Sequence, residues 1–504
     1  MELANRRILV LGLGESGLSM ARHLAAAGAV LSAADTRPDP PGRAAFVDAW
    51  PQARIDLGPL DPAVFADVDA VAVSPGVAVA GPQADPAVAA ARAQGLRFFG
   101  DMELFAAALA DERAASGYRP KIVAITGTNG KTTVTSLTAF LAERAGRRAL
   151  AAGNIGPAVL DAWRAARAAG ALPEVWVLEL SSFQLETTHS LAADVAVVLN
   201  VSEDHLDRHG TMADYASAKA RIFANGAVQV LNRDDARTLA MRLPFQPKSR
   251  RERPPPVYTF GTDAPASARD FGLVRDARPG GVAWLAQGAE SEDAEAPAPP
   301  RRLMPQEALR IRGAHNAANA LAALALLGAI GLPLAPLLKG LAEYAGLPHR
   351  VQHVARIDGV DYVDDSKGTN VGATVAALAG LGADLGAGAR IVLIAGGEGK
   401  GQDFAPLAAP YARFCRAAML IGRDGAALGT ALGAGANTLQ CASLEEAVRE
   451  AAARAQPGDT VLLSPACASF DMFRNYAHRA EVFVAAVRDL GRTATPPQEG
   501  SADA

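Results

Sequence analysis

The strongest chemical signal in this sequence is Gly127-Thr128-Asn129-Gly130-Lys131-Thr132-Thr133, which follows the apolar stretch Lys121–Thr126 and precedes a helical pattern. A glycine-rich turn between strand and helix lets successive backbone N–H groups wrap a polyphosphate. Lys131 is then placed to neutralise β/γ charge and the Thr132 hydroxyl to ligate Mg²⁺. The usual loop has glycine where Ile125 stands, so this is a shortened variant. The bland alternative is a Gly-Lys turn at a helix start. Glu179 ends the apolar run VWVLEL, where a carboxylate can face the nucleotide and hold Mg²⁺ directly or through water. A buried structural glutamate is the competing reading. Asn200 to His209 (NVSEDHLDRH) crowds metal- and proton-capable groups, including His205, into one loop. On spacing alone Lys219, in YASAKARIFAN, is a solvated lysine.

Gly12-x-Gly14-x-x-Gly17 lies between a strand and a helix, and Asp35 ends the next strand. This is a dinucleotide fingerprint, in which glycines admit a pyrophosphate to the helix N-terminus. Arg37 adds a cation where a further phosphate could sit. A ligand-free tight turn and a nicotinamide-dependent dehydrogenase are both open at this point. Near the C-terminus three loops each follow a strand: Asp364 to Asn370 (DDSKGTN), Gly396 to Gly401 (GGEGKG) and Ser464 to Phe470 (SPACASF). At one edge of a parallel sheet, their two lysines, hydroxyls and backbone donors suit a small ligand with more than one carboxylate. Cys467 has no adjacent base and is not expected to be a nucleophile.

The elements that position these groups alternate strand and helix, which implies parallel, doubly wound sheets. The chain has 504 residues, enough for three domains. A Rossmann-like domain is expected over 1–119, a central P-loop ATPase-like domain over 120–346, and a Rossmann-like domain over 347–504 with a loose tail from Thr493. Expected strands include Val257–Phe260, Asp361–Val363, Arg390–Ala395, Ala417–Ile421 and Thr460–Leu463, and expected helices His315–Gly328 and Leu444–Ala455. The Pro-rich charged stretches 250–256 and 290–302 are read as surface loops or disorder. A net charge of −4 argues against a nucleic-acid binder, and 50% hydrophobic content excludes disorder as the main state. Three scattered cysteines fit a reducing cytosol rather than a disulfide framework. Ala320–Leu338 is uncharged but broken by Gly328, Gly331, Pro333 and Pro336, so no membrane span is expected.

In order along the chain, GTNGKTT, LELSSFQLE, NVSEDHLDRH, GAHNAANALAA, GLPHR, DDSKGTN and SPACASFDMF resemble the Mur ligases of peptidoglycan synthesis. The resemblance runs from about Arg7 to Leu490. GTNGKTT is shared with folylpolyglutamate ligases, whereas LELSSFQLE, DDSKGTN and SPACASFDMF point to the D-glutamate-adding branch. The resemblance implies an N-terminal UDP-sugar domain, a central ATPase and a C-terminal amino-acid domain. It implies that Gly14, Glu15, Ser16, Gly17, Thr36, Arg37, Ser74 and Gly76 hold a uridine diphosphate, with Asn154 and Gln184 contacting the rest of that substrate. It further implies that Gly127, Thr128, Asn129, Gly130, Lys131, Thr132 and Thr133 cradle ATP, that Asn316 and Asn319 contact adenine, and that Arg350 and Asp365 belong to the ATP site. Thr132, Glu179, His205 and a carbamylated Lys219 would hold Mg²⁺, two ions in all, with Lys131, Glu179, His205 and Lys219 the catalytic group. The D-glutamate site would be Lys367, Thr369, Lys400, Ser469, Phe470 and Tyr476. Phe470 and Tyr476 stand where relatives often have Leu and Phe, which leaves the exact shape of the pocket open, while the cationic and hydroxyl groups are kept. The implied partners are small molecules alone, and the chain is expected to act as a cytoplasmic monomer. Closure of the third domain about Gly346-Leu347-Pro348 would hold three ligands in line.

Overall fold

The structure is a computed structural model, and it describes residues 2–244, 254–277, 281–290, 298–386 and 388–494. Strands β1 (Arg7–Leu11), β2 (Val30–Asp35), β3 (Ile55–Leu57), β4 (Ala70–Val73) and β5 (Phe98–Phe99) form a parallel sheet in the order β3-β2-β1-β4-β5. The second sheet contains β6 (Lys121–Thr126), β7 (Ala149–Gly153), β8 (Val175–Glu179), β9 (Val195–Val198), β10 (Val228–Asn232), β11 (Val257–Phe260), β12 (Asp270–Arg275), β13 (Ala283–Gln287) and β14 (Arg301–Pro305). Its order is β14-β13-β12-β11-β10-β9-β6-β8-β7, parallel from β7 to β12, with β13 and β14 added antiparallel. The third sheet contains β15 (Gln352–Ile357), β16 (Val360–Asp364), β17 (Ile391–Gly396), β18 (Cys415–Ile421), β19 (Thr438–Gln440) and β20 (Thr460–Leu463), in the order β15-β16-β20-β17-β18-β19. Only β15 there is antiparallel to its neighbour. Three α/β domains result, each built on its own sheet.

The chain divides into two compact units. One comprises Met1–Val201, His205–Pro305 and Asn319–Ala342; the other comprises Ser202–Asp204, Gln306–Ala318 and Glu343–Ala504. In the first unit the first two sheets share a core, because helix Asp101–Ser116 buries Phe105 against Trp176 and Trp163, with ring centroids 4.9 and 5.9 Å apart. The central strands carry almost no polar residues because helices cover both faces of each sheet. β8 (VWVLE) and β17 (IVLIAG) are buried along their whole length.

Polar chemistry is therefore confined to strand ends, and short caps fix the helices that follow. Ser181 and Gln184 make a reciprocal capping box on helix Ser182–Glu186, and Asn370 caps Val371–Asp384. The apolar stretch 320–338 is divided between helices Ala314–Ala329 and Leu334–Glu343. Among the described residues no helix is long and apolar enough to cross a membrane.

Two loop expectations differ from the structure or fall outside it. Arg301 and Arg302 are not loop but open β14, where Arg302 pairs with Asp276 at 2.8 Å and lies over Trp284, so hairpin pairing overrides the local charge and proline content. Residues 250–253 and 291–297 of the Pro-rich stretches lie outside the described residues, as do tail residues 495–504; the last helix, Tyr476–Ala494, includes the first two residues assigned to the tail.

Candidate functional site

The turn after β6 is shaped by its neighbours across the sheet. The Thr128 N–H donates to the Asn200 carbonyl at 3.0 Å and the Asn129 N–H to Asn200 Oδ1 at 2.9 Å. Gly130, with φ +82°, delivers the chain into helix Lys131–Arg144 in a left-handed conformation that favours glycine. Lys131 Nζ donates to the carbonyls of Gly127 and Thr128, both at 2.8 Å, so the ammonium already arches over the turn. Thr133 is buried, while Lys131 and Thr132 are half-buried. Asn319 Oδ1 lies against Gly130, where a Cβ would approach it to 2.8 Å.

Two strands away in chain order but adjacent in the sheet, β8 ends on Glu179, which is 2% exposed. Its Oε1 accepts from Asn154 Nδ2 at 2.7 Å, and its Oε2 is buried without a hydrogen-bond partner. A buried carboxylate oxygen with no donor is costly unless a cation or ordered water satisfies it. That fits a divalent ion. Among the described residues no three His, Cys, Asp or Glu side chains converge as a metal cage. Lys219 is not solvated. It is 1% exposed, its Nζ donates to the Gly127 carbonyl at 2.9 Å, and it sits 4.4 Å from the centre of the Tyr215 ring. His205 has φ +55° and packs edge-on to Phe183, with centroids 4.9 Å apart. Phosphate loop, Glu179 and Lys219 thus meet at the carboxyl edge of the second sheet, where α/β sheets bind ligands.

A second concavity in the same unit has a volume of about 520 Å³. Gly14, Glu15, Ser16, Thr36, Arg37, Ser74, Gly76, Asn154 and Gln184 all line it. Gly17 does not; its Cα is pressed against the Gly12 carbonyl, where a Cβ would stand at 1.9 Å. Arg37 is not a free cation either, because Asp35 accepts from both Nε and Nη2, at 2.9 and 2.7 Å. Burial pushes the Asp35 carboxyl up, but the bonds from Arg37 and the Leu13 amide outweigh it and hold the group below the usual carboxylate range. The two parallel bonds fix the guanidinium on the cleft wall.

In the other unit the three C-terminal loops are knitted by backbone bonds. Glu398 and Ala468 exchange N–H···O bonds at 3.0 and 2.9 Å, and the Ala466 N–H donates to the Gly368 carbonyl at 2.9 Å. Lys367 Nζ lies 3.8 Å from the centre of the Tyr476 ring. Ser469 is buried, whereas Phe470 is 71% exposed. Lys400 sits at φ +52° in its turn. Asp365 accepts from Ser464 Oγ at 2.8 Å, and burial pushes its carboxyl up to about 7 against that bond and the nearby Arg350 charge. Asn316 Nδ2 donates to the Arg312 carbonyl at 2.8 Å. Cys467 is fully buried and its thiol is pushed up to about 12 by burial, in line with an inert role.

The chain matches the MurD-like N-terminal domain of Mur ligases over residues 6–100, the Mur ligase middle domain over 125–327 and the Mur ligase glutamate ligase domain over 349–467. A UDP-N-acetylmuramoylalanine--D-glutamate ligase of Burkholderia mallei is 55% identical over 501 residues, spanning 96% of this chain and 97% of that protein. The chain belongs to the Mur ligase family. A protein of the same name from Burkholderia thailandensis matches with the same identity and coverage. The MurF ligase of Thermotoga maritima, solved in complex with ADP, aligns with a TM-score of 0.58 at 15% identity, covering 98% of this chain and 100% of that one. The UDP-N-acetylmuramate-alanine ligase MurC of the same organism aligns at 0.56 and 18%, covering 96% and 100%. These two likenesses bear on the fold alone.

Several residues of this Mur ligase that shape the sites escaped sequence reasoning. Asp101 fixes the amide of Gln184 by accepting from its Nε2 at 2.9 Å, while the Ser181 N–H holds Gln184 Oε1 at 3.0 Å. Arg479 is fully buried and donates to the carbonyls of Ser366 and Cys467 at 3.0 and 3.2 Å, tying two C-terminal loops together. Pro75, Val77, Gly153, Gly156 and Ala158 complete the cleft wall. Only their adjacency to motif residues could have flagged them. A cleft of about 860 Å³ at the opposite edge of the second sheet is lined by Arg119, Arg147, Arg148 and Arg167. Arg147 and Arg167 pair there with Glu174 and Glu112, both at 3.0 Å.

Proposed function

We propose that this Mur ligase joins D-glutamate to UDP-N-acetylmuramoyl-L-alanine with conversion of ATP to ADP and phosphate, in the synthesis of a peptidoglycan precursor. The observation that carries the reading is the buried, partnerless Glu179 Oε2 beside a phosphate loop, in a chain 55% identical to ligases of that name over nearly its whole length.

A carboxylate does not accept an amine directly, because its oxygen is a poor leaving group. In this reading the alanyl carboxylate attacks the γ-phosphorus, ADP leaves, and the carboxyl becomes an acyl phosphate. The amine of D-glutamate then attacks the acyl carbon, loses a proton, and expels phosphate to leave an amide. Positioning and charge neutralisation are the dominant needs of phosphoryl transfer. Lys131 meets the β/γ charge, and the N–H groups of Gly127 to Thr133 wrap the phosphates. Mg²⁺, two ions in this reading, supplies further neutralisation when bound, held by Thr132, Glu179, His205 and a Lys219 carbamate formed with CO₂. Asn316, Asn319, Arg350 and Asp365 complete the ATP site.

Residues 1–119 bind the UDP-sugar through Gly14, Glu15, Ser16, Thr36, Arg37, Ser74 and Gly76, with Asn154 and Gln184 from the central domain, while Gly17 shapes the turn beneath them. Residues 120–346 bind ATP. Residues 347–504 bind D-glutamate, whose two carboxylates meet Lys367 and Lys400, with Thr369, Ser469, Phe470 and Tyr476 shaping the pocket. A dehydrogenase reading leaves the phosphate loop without a task.

Mass spectrometry of the product tests the proposal. One amide-linked glutamate and one ADP should form per nucleotide sugar consumed; ADP formation with no covalent product would refute it.

A further inference from the structure

Arg208 lies three residues after His205, on the short helix Leu206–His209, and is only 3% exposed. Its Nη2 donates to Glu186 Oε2 at 2.7 Å and to the Val77 carbonyl at 3.2 Å, and its Nη1 to the Pro75 carbonyl at 3.5 Å. The guanidinium carbon stands 4.5 Å from the centre of the Phe183 ring. Pro75 and Val77 flank Gly76 on the wall of the 520 Å³ cleft. The same helix grips the rest of that loop. Gln83 Nε2 donates to Asp207 Oδ2 at 2.8 Å, and a Cβ on Gly81 would come within 2.5 Å of the Arg208 carbonyl.

A guanidinium is taken out of water only where its charge is paired; here Nη1 and Nη2 carry the bonds, while Nε is buried without a hydrogen-bond partner. Here the pairing carboxylate comes from the helix after β8, and the accepting carbonyls come from the loop after β4. One planar fork therefore joins the first domain's substrate wall to the second domain's His205 loop. A lysine ammonium, a single point of charge, cannot span the carboxylate and both carbonyls.

We infer that Arg208 is a positioning residue: it locks the 74–83 loop of the nucleotide-sugar cleft to the loop bearing His205, so that the two sites share one geometry. Its kinetic consequence rests on the ligase reading, whereas its structural consequence does not.

The test uses the full chain with Arg208→Lys, Arg208→Gln and the milder Glu186→Gln. Hydrogen exchange without substrates should quicken across 74–83 in each variant and stay unchanged in the third sheet. The KM for UDP-N-acetylmuramoyl-L-alanine should rise about 10- to 100-fold in the Arg208 variants, since small misplacements cost that much, while the KM for D-glutamate stays within about twofold. Should the Arg208 variants not fold, Glu186→Gln must show both effects in smaller measure. Unchanged exchange over 74–83 in a folded variant, or an equal rise in both KM values, overturns the inference. Quickened exchange in a chain whose wild type forms no amide upholds the lock and sinks the ligase reading instead.

Discussion

Two glycines of the N-terminal fingerprint should respond to alanine in opposite ways. At Gly17 an added Cβ would stand 1.9 Å from the Gly12 carbonyl oxygen and 2.9 Å from Ser74 Oγ, whereas at Gly14 it would meet nothing within 4 Å. The Gly12 carbonyl also accepts from Ser74 Oγ at 2.7 Å, so it cannot withdraw without loosening the cleft wall. Relieving the overlap requires a backbone shift of more than about 1 Å, and overpacking of this kind costs roughly 1–3 kcal/mol or more. For a domain of this size that lowers Tm by about 4–12 °C. Gly14→Ala should leave Tm within about 1 °C, because substitutions without steric conflict fall within roughly 0.5 kcal/mol, yet it should raise the KM for the nucleotide sugar by crowding the cleft. Differential scanning fluorimetry and initial-rate kinetics on both variants separate the effects. Equal Tm values for Gly14→Ala and Gly17→Ala would refute the packing argument.

Further expectations follow from other groups. Glu179→Gln should cut kcat by about 10²–10³ and raise the Mg²⁺ concentration needed for half-maximal rate; an unchanged Mg²⁺ titration contradicts the assignment. Lys219→Ala should abolish turnover while leaving the far-UV circular dichroism intact, and an active variant would refute its role. Burial lowers the His315 ring to about 4 from 6.5, so it is neutral when folded. Its contribution is fully present above pH 6.5 and is lost as pH falls from there toward 4, a swing of ~3 kcal/mol. Urea unfolding from pH 7 to 4 should therefore show less acid destabilisation in His315→Gln than in wild type, and parallel curves would contradict the assignment.

The strand-turn-helix segments were legible because they are local: β11 and β20 span the expected residues, and the phosphate turn joins β6 to its helix. Each loop singled out for chemistry after a strand lies at the carboxyl end of that strand, because a parallel sheet leaves polar groups nowhere else. What was not legible depends on contacts across the chain. Lys219 reads as solvated from its neighbours and is buried by Tyr215 and the Gly127 carbonyl. Arg37 reads as a free phosphate-binding cation, and Asp35, two residues away, accepts from its Nε and Nη2. Glu179 and Asn154 are 25 residues apart and meet only because β7 and β8 are neighbours. Arg301 and Arg302 read as loop until β13 pairs with them.

The central claim is the identity of the amino acid joined. Phosphate release from ATP, measured with UDP-N-acetylmuramoyl-L-alanine and a panel of amino acids, tests it most directly. D-glutamate should stimulate release and L-glutamate should not. Equal stimulation by both enantiomers, or none by D-glutamate, would contradict it.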